Sequence, residues 1–243
     1  MKKVIKRLIL KLKYSGNQHE CPLCGFKARA FLPGGLHTKR VNAKCPSCGC
    51  VERHRILWRY FINIGCVVNE PHKSVLHFAP EPALRRKLTE MLPLYKCSDL
   101  SLEDADYAYN LTRVDCPDAH WDYLICFHVL EHIEDDRQAM LEMHRILKPG
   151  GVAFVQVPIW PSELHPTYEN PTIIDPRDRQ ITFGQEDHLR IYGLDVVERL
   201  QEVGFEVQLV RYTDFFTSDE IHRYALRNTS GISEVFFYCR KHV

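Results

Sequence analysis

The sequence lacks a long apolar run and lacks any strong excess of charge. No uninterrupted apolar stretch approaches the roughly 20 residues that a membrane-spanning helix needs. Lys and Arg number 32 against 31 Asp and Glu, a formal net charge of +1. A chain so near neutrality has no global pull toward a polyanion, so a nucleic-acid substrate is not expected without a local basic patch. The N-terminus is basic but lacks the apolar core of a secretory leader, because Lys6, Arg7, Lys11 and Lys13 interrupt its apolar residues. Internal repeats and low-complexity tracts are also missing. Without export, a cytoplasmic location is expected, and ten cysteines in a reducing compartment point to metal before disulfides. What is present is the composition of a globular chain, 45% hydrophobic and 26% charged. Its 243 residues suffice for one domain of about 170 residues and a small module.

The cysteines are not evenly spread. Cys21-Pro22-Leu23-Cys24-Gly25 and Cys45-Pro46-Ser47-Cys48-Gly49 are two copies of one knuckle, C-P-x-C-G. Two residues between cysteines let both thiolates face one ion, and the following glycine permits the tight turn around it. Cys21, Cys24, Cys45 and Cys48 therefore form a candidate structural zinc site, closed by four thiolates. Cys50 is an alternative ligand, and His37 and His54 lie nearby in sequence. The remaining cysteines sit in apolar contexts and read as core. Arg29, Lys39, Arg40 and Lys44 fit a solvated face better than a phosphate-binding one.

Ahead of this module, residues 1–14 read as a basic amphipathic helix, with Val4, Leu8 and Leu12 on one stripe beside Ile5 and Ile9. Packing on its own domain is the favoured reading, and weak contact with an anionic membrane surface the alternative. Residues 15–52 form the ribbon and 53–73 a linking helix.

From residue 74 to 243 strand-like and helix-like segments alternate, which implies a mostly parallel sheet with helices on both faces. Ser74–Phe78, Leu94–Cys97, Tyr107–Leu111, Trp121–Phe127, Val152–Val157, Phe205–Val210 and Glu234–Cys239 read as strands. Ile133–Leu147 is the strongest helix, stopped by Lys148-Pro149-Gly150-Gly151. In such sheets ligands bind at the C-terminal strand ends.

Two segments, WDYLICFHVLEHIEDD and MHRILKPGGVAFVQVP, give the chain a resemblance to class I S-adenosylmethionine-dependent methyltransferases. The later FGQEDHLRIYG resembles a subfamily that carries an N-terminal four-cysteine zinc ribbon and is associated with bacterial surface-glycan gene clusters. The resemblance implies a Rossmann-like α/β sheet of seven strands with an antiparallel last strand. It also implies S-adenosylmethionine as cofactor, and a small-molecule or carrier-linked hydroxyl acceptor such as a glycan precursor. The implied cofactor site comprises His77, Ala79 and Glu81 in the first loop, Asp99 on the ribose, Asn110 and Leu111 beside adenine, and Phe127 and His128 at the methyl-transfer position. The first loop has no glycine, and Ala79 is its small residue.

Histidine suits the removal of a hydroxyl proton. His128, His188 and Asp187 are the candidate catalytic groups, and His132, Arg190 and Tyr192 the candidate substrate-binding ones. Two further readings use the same fold: a methyltransferase-like sheet without cofactor turnover, and an RNA or protein methyltransferase whose ribbon grips the macromolecule. His128-Val129-Leu130-Glu131-His132 also matches H-x-x-E-H, a metalloprotease pattern. That chemistry requires an established helix and a third ligand, whereas a loop is expected here.

Overall fold

The computed structural model describes residues 2–35, 39–101, 103–160, 165–227 and 235–243. The chain divides into two compact units, residues 1–71, 81–93 and 211–234 in one, and 72–80, 94–210 and 235–243 in the other. This division differs from a cut at residue 74. The helix Pro82–Met91 and the segment after Arg211 group with the ribbon.

In the first unit, helix Lys2–Tyr14 leads into two small antiparallel pairs, Ser15–Glu20 with Lys27–Ala28 and Leu32–Gly34 with Arg40–Lys44. The apolar stripe of the first helix is uncovered: Ile5, Leu8, Ile9 and Leu12 are between 52% and 73% exposed. This corrects the expectation that the stripe packs on its own domain. Helix Glu52–Ile64 buries Ile56, Leu57, Trp58, Tyr60 and Phe61, and ends at Gly65 in the left-handed conformation, φ 66°. Arg55, on the same helix, is fully buried and spends its guanidinium mainly on carbonyl oxygens. Two short helices, Tyr212–Phe215 and Ser218–Arg223, follow in this unit. Thr217 caps the second with its hydroxyl accepting from Glu220 N–H (3.2 Å), while Glu220 reaches back to the Thr217 N–H (3.1 Å).

The second unit is a six-stranded mixed sheet: β1 (Val75–Phe78), β2 (Tyr95–Ser98), β3 (Trp121–Phe127), β4 (Leu147–Gln156), β5 (Phe205–Arg211) and β6 (Val235–Lys241). Side by side the order is β5-β6-β4-β3-β1-β2. β1 runs parallel to β2 and β3, β3 parallel to β4, and β6 antiparallel to β4, as expected of the last strand. A seventh strand near Tyr107–Leu111 is expected, but among the described residues this segment forms isolated bridges, Tyr107 to Ser98 and Asn110 to Arg113. The reason is local: Ser98 Oγ takes the Tyr109 N–H (2.9 Å) and Asn110 turns the chain back onto Arg113 (2.9 Å), so the ladder cannot extend.

β1 and β3 are buried along nearly their whole length, in keeping with sequences that are apolar apart from His77 and Asp122. Between them and the following helix lies a core that includes Leu76, Leu124, Met140, Met143, Ala153 and Val155. Each of the Leu, Met and Val side chains contributes about 2 kcal/mol on burial. That helix spans Asp136–Ile146, shorter than Ile133–Leu147, because the Asp135 side chain caps it by accepting from Gln138 N–H (2.9 Å). Lys148–Gly151 do not lie outside the sheet. They form a bulge within β4, between the pairs Trp121–Leu147 and Tyr123–Val152. Among the described residues, no helix is long and apolar enough to cross a membrane.

Candidate active site and metal centre

The two cysteine knuckles fold alike. In each, the glycine N–H donates to the first cysteine carbonyl, Gly25 to Cys21 (2.8 Å) and Gly49 to Cys45 (2.9 Å), with both glycines at positive φ. These turns bring four sulfurs together, all within 4.8 Å, with Cys21–Cys48 at 3.6 Å and Cys24–Cys45 at 3.8 Å. A tetrahedron with zinc–sulfur bonds of about 2.3 Å has edges of about 3.8 Å, so the donors fit such an ion. Cys50 Sγ lies 3.4 Å from Cys21 but also against the Arg55 guanidinium (3.9 Å). His37 lies outside the described residues. His54 is committed elsewhere: its Nδ1 accepts from Val51 N–H (3.3 Å) and its Nε2 lies 2.9 Å from Glu81. Burial lowers the His54 pKa although Glu81 opposes this, which suits a neutral ring with the proton on Nε2. No disulfide joins any of the ten cysteines.

In the sheet unit, strand order reverses between β1 and β3, whose neighbours β2 and β4 lie on opposite sides. Ligands in open α/β sheets bind outside the C-terminal strand ends at such a reversal. Both strands end there in a left-handed residue, Ala79 at φ 46° and His128 at φ 55°. Non-glycine residues pay for this conformation, and such strain gathers at functional sites. The glycine-free first loop thus takes a turn that glycine would take without strain, locked by Ala79 N–H donating to Ser98 O (2.8 Å).

Asp99, at the end of β2, lines an open cleft of about 440 Å³ with Ser101, Asp106 and Tyr107. Its Oδ1 accepts from the Ser101 N–H and hydroxyl, both at 2.8 Å. Although partial burial opposes it, hydrogen bonds from Lys96 and the Cys97 N–H hold the Asp106 carboxyl below its ordinary range. Tyr107 stacks on Tyr109 at 4.6 Å. Asn110 spends its side-chain oxygen on Thr112 (3.0 and 2.8 Å), and Leu111 packs into the core, 5% exposed. The turn they form thus engages the Asn110 side-chain oxygen. His77 is also buried, against the Tyr95 hydroxyl at 3.0 Å, because the inward face of β1 carries it into the protein. Phe127 is buried against Phe236. Glu81, expected on the cofactor's ammonium, groups with the ribbon unit and lies against His54 (2.9 Å) and Arg53 (3.5 Å).

The histidines converge beyond β3. His128 Nδ1 lies 3.1 Å from Glu131 Oε1, and Glu131 is fully buried on the 3₁₀ turn Leu130–His132. His132 Nδ1 contacts Asp187 at 3.2 Å, and its ring meets that of His188 edge-on at 4.8 Å. His188 does not pair with Asp187. It is 3% exposed, and its Nδ1 donates to Phe183 O at 3.0 Å. Burial lowers its pKa, against the pull of Glu131 and Phe183. Glu131 sits inside H-x-x-E-H, the one signal by which the sequence could have marked it.

Arg190 and Tyr192, expected to hold a substrate anion, are committed to the protein. Arg190 donates to the carbonyls of Leu130 (3.1 Å), Ile133 and Glu134 (2.8 Å) and to Glu169 (2.8 Å). Tyr192 is fully buried and donates to Asp136 at 2.6 Å. Burial, and then Asp136, push its hydroxyl pKa well up. Arg190 thus pins the Leu130–Glu134 loop, and Tyr192 the start of the helix Asp136–Ile146. Arg190→Lys replaces a planar fork by a single ammonium that cannot reach three carbonyls and a carboxylate. It should cost about 1–3 kcal/mol, seen as a lower melting temperature. An unchanged melt would show that the loop is held by other contacts.

Residues 90–155 match the family described as "Methyltransferase domain". Over 100 residues the chain is 32% identical to a Mycolicibacterium smegmatis protein described as a "probable S-adenosylmethionine-dependent methyltransferase", 41% of this chain and 34% of that one. The chain thus spans about a third of the length of the curated relative it matches. Among solved structures it is similar to an S-adenosylmethionine-dependent methyltransferase from Mesorhizobium loti, at 14% identity and TM-score 0.46, covering 70% of this chain and 91% of that one. It is also similar to a Haemonchus contortus phosphoethanolamine N-methyltransferase, at 13% identity and TM-score 0.45, covering 76% and 53%. These structural likenesses are too distant to carry an argument. The two sequence matches make part of the sheet unit similar to methyltransferases.

Proposed function

We propose that the chain is an S-adenosylmethionine-dependent methyltransferase acting on a hydroxyl of a small or carrier-linked substrate, such as a glycan precursor. The observation that best supports this reading is Asp99 at the end of β2, opening onto a cleft at the same end of the sheet as Ala79 and His128. A carboxylate there suits a ribose diol. When bound, the cofactor supplies an electrophilic methyl group. Asp99 and the Phe78–Ala79 turn would hold it.

His128 would take the acceptor's proton. A carboxylate only accepts, so with Glu131 ionised the His128 Nδ1 donates to it and the other ring nitrogen is left as the base. The His128 side chain is 31% exposed, within reach of a substrate, while His188 is enclosed. His128 therefore suits the base role better than His188. The four thiolates of the ribbon would hold a structural zinc ion, with no coordination position left open for chemistry.

Calorimetric titration with S-adenosylmethionine tests the reading. Micromolar binding is expected, weakened about 10- to 100-fold in Asp99→Ala, since hydrogen bonds to a charged group contribute about 1.5–3 kcal/mol. Absence of binding at millimolar cofactor by the folded protein would overturn it.

A further inference from the structure

We propose a second metal site, for a divalent first-row transition ion, built from Glu131, His132 and His188. One ligand atom from each lies within 4.8 Å of the others. This is close to the roughly 3–4 Å edges that metal–ligand bonds of about 2.1 Å set.

Three observations point to an ion rather than to a closed hydrogen-bond network. The first is the state of the two buried members. Glu131 is fully buried and His188 is 3% exposed, yet Glu131 Oε2 and His188 Nε2 have no hydrogen-bond partner among the described residues. Buried polar atoms are rarely left so. Second, each of the three side chains has one end already engaged and the other left for the centre. Glu131 Oε1 faces His128, His132 Nδ1 faces Asp187, and His188 Nδ1 faces the Phe183 carbonyl. A carbonyl only accepts, so His188 Nδ1 carries the proton and Nε2 offers a lone pair. Histidines that bind metals almost always donate their other nitrogen to a carboxylate or a carbonyl, as both do here. Third, the charge of Glu131 is not met by the neighbouring guanidinium. Arg190 spends its N–H groups on carbonyls and on Glu169.

Two imidazoles and one carboxylate suit Zn, Fe, Co or Mn and leave coordination positions open. The third ligand that H-x-x-E-H lacks in sequence is thus supplied by His188, from a distant loop, with Glu131 rather than His128 completing the set. Only on the methyltransferase reading do the open positions matter further: they would receive the acceptor oxygen beside His128.

The test is titration of zinc-loaded protein with Co²⁺ alone, followed by calorimetry and visible absorption, without S-adenosylmethionine. One equivalent should bind without a thiolate charge-transfer band. Glu131→Gln and His132→Asn should each weaken it at least 100-fold. His132 is half-exposed, so its variant should fold even if Glu131→Gln does not. Three results would overturn the site: no Co²⁺ uptake at millimolar concentration, uptake only with a thiolate band, or uptake unchanged by His132→Asn. Because the cofactor is absent, loss of this site and loss of S-adenosylmethionine binding are separate outcomes.

Discussion

Chelating the zinc ion proposed for the four-cysteine cluster should unfold the ribbon. The segment from Ser15 to Val51 has only two-, three-, five- and six-residue strands and a handful of buried apolar side chains, among them Leu23, Ala28, Phe31 and Ala43. So small a core cannot offset the entropy of ordering the segment. Structural zinc sites supply roughly 10–16 kcal/mol of apparent binding free energy near neutral pH, all of it coupled to folding. Cys45→Ser removes one of four thiolates from a fully enclosed corner of the tetrahedron. The variant should retain less than one zinc per chain by elemental analysis, and limited proteolysis should cut first within residues 15–52. Cys97→Ser, at a core cysteine outside the cluster, should leave the zinc content at one. A Cys45→Ser protein with full zinc and unchanged protection of the ribbon would mean that the knuckles are held by packing alone.

The second large effect is expected at Arg55. Its guanidinium donates to Ala43 O (2.8 Å), Cys50 O (3.2 Å), Asn42 O (3.3 Å), Tyr224 O (2.9 Å) and Ala225 O (2.6 Å), and lies 4.8 Å from the Phe31 ring centroid. Among the described residues, no carboxylate forms an ion pair with it. Five carbonyls share one cation, so the group is a tie between the ribbon, its helix and the segment near Ala225. Arg55→Met keeps much of the volume but leaves those carbonyls without a donor. Each buried unsatisfied group costs about 1–3 kcal/mol, and relaxation recovers part, so a loss of at least about 3 kcal/mol is expected. That corresponds to a melting temperature lower by roughly 10 °C. A drop of less than a few degrees would show that water replaces the guanidinium, and that the tie is dispensable.

These two sites also show where sequence reasoning reaches and where it stops. The knuckles were legible because both ligands of each pair lie three residues apart on one turn, so local geometry is the whole argument. Arg55 was not. In the helix Glu52–Ile64 it looks like an ordinary exposed charge, and its burial depends on Tyr224 and Ala225, 169 and 170 positions later. The segment after Arg211 held no pattern that assigns it to the ribbon. There, His19 Nδ1 meets the His222 carbonyl at 2.8 Å and Arg223 meets Glu20 at 2.7 Å.

The same contrast holds at the candidate active site. His128 and Asp99 were singled out by the family resemblance, and both follow strands whose C-terminal ends carry ligand sites in parallel sheets. Arg190 and Tyr192 were misplaced for the opposite reason. A polar residue in an irregular stretch reads as surface, and only contacts 56 to 60 residues away, to Asp136 and the Leu130 loop, turn them inward.

By itself, then, the sequence determined what periodicity and short spacing control: the paired knuckles, the strand–helix alternation, and the apolar strands Ser74–Phe78 and Trp121–Phe127, while the antiparallel closing strand came from the family resemblance. The tertiary structure alone decided which polar groups are spent and which are left over. A hydrogen bond needs both partners in place, and at Glu131, His188, Arg190 and Arg55 the partners come from remote parts of the chain.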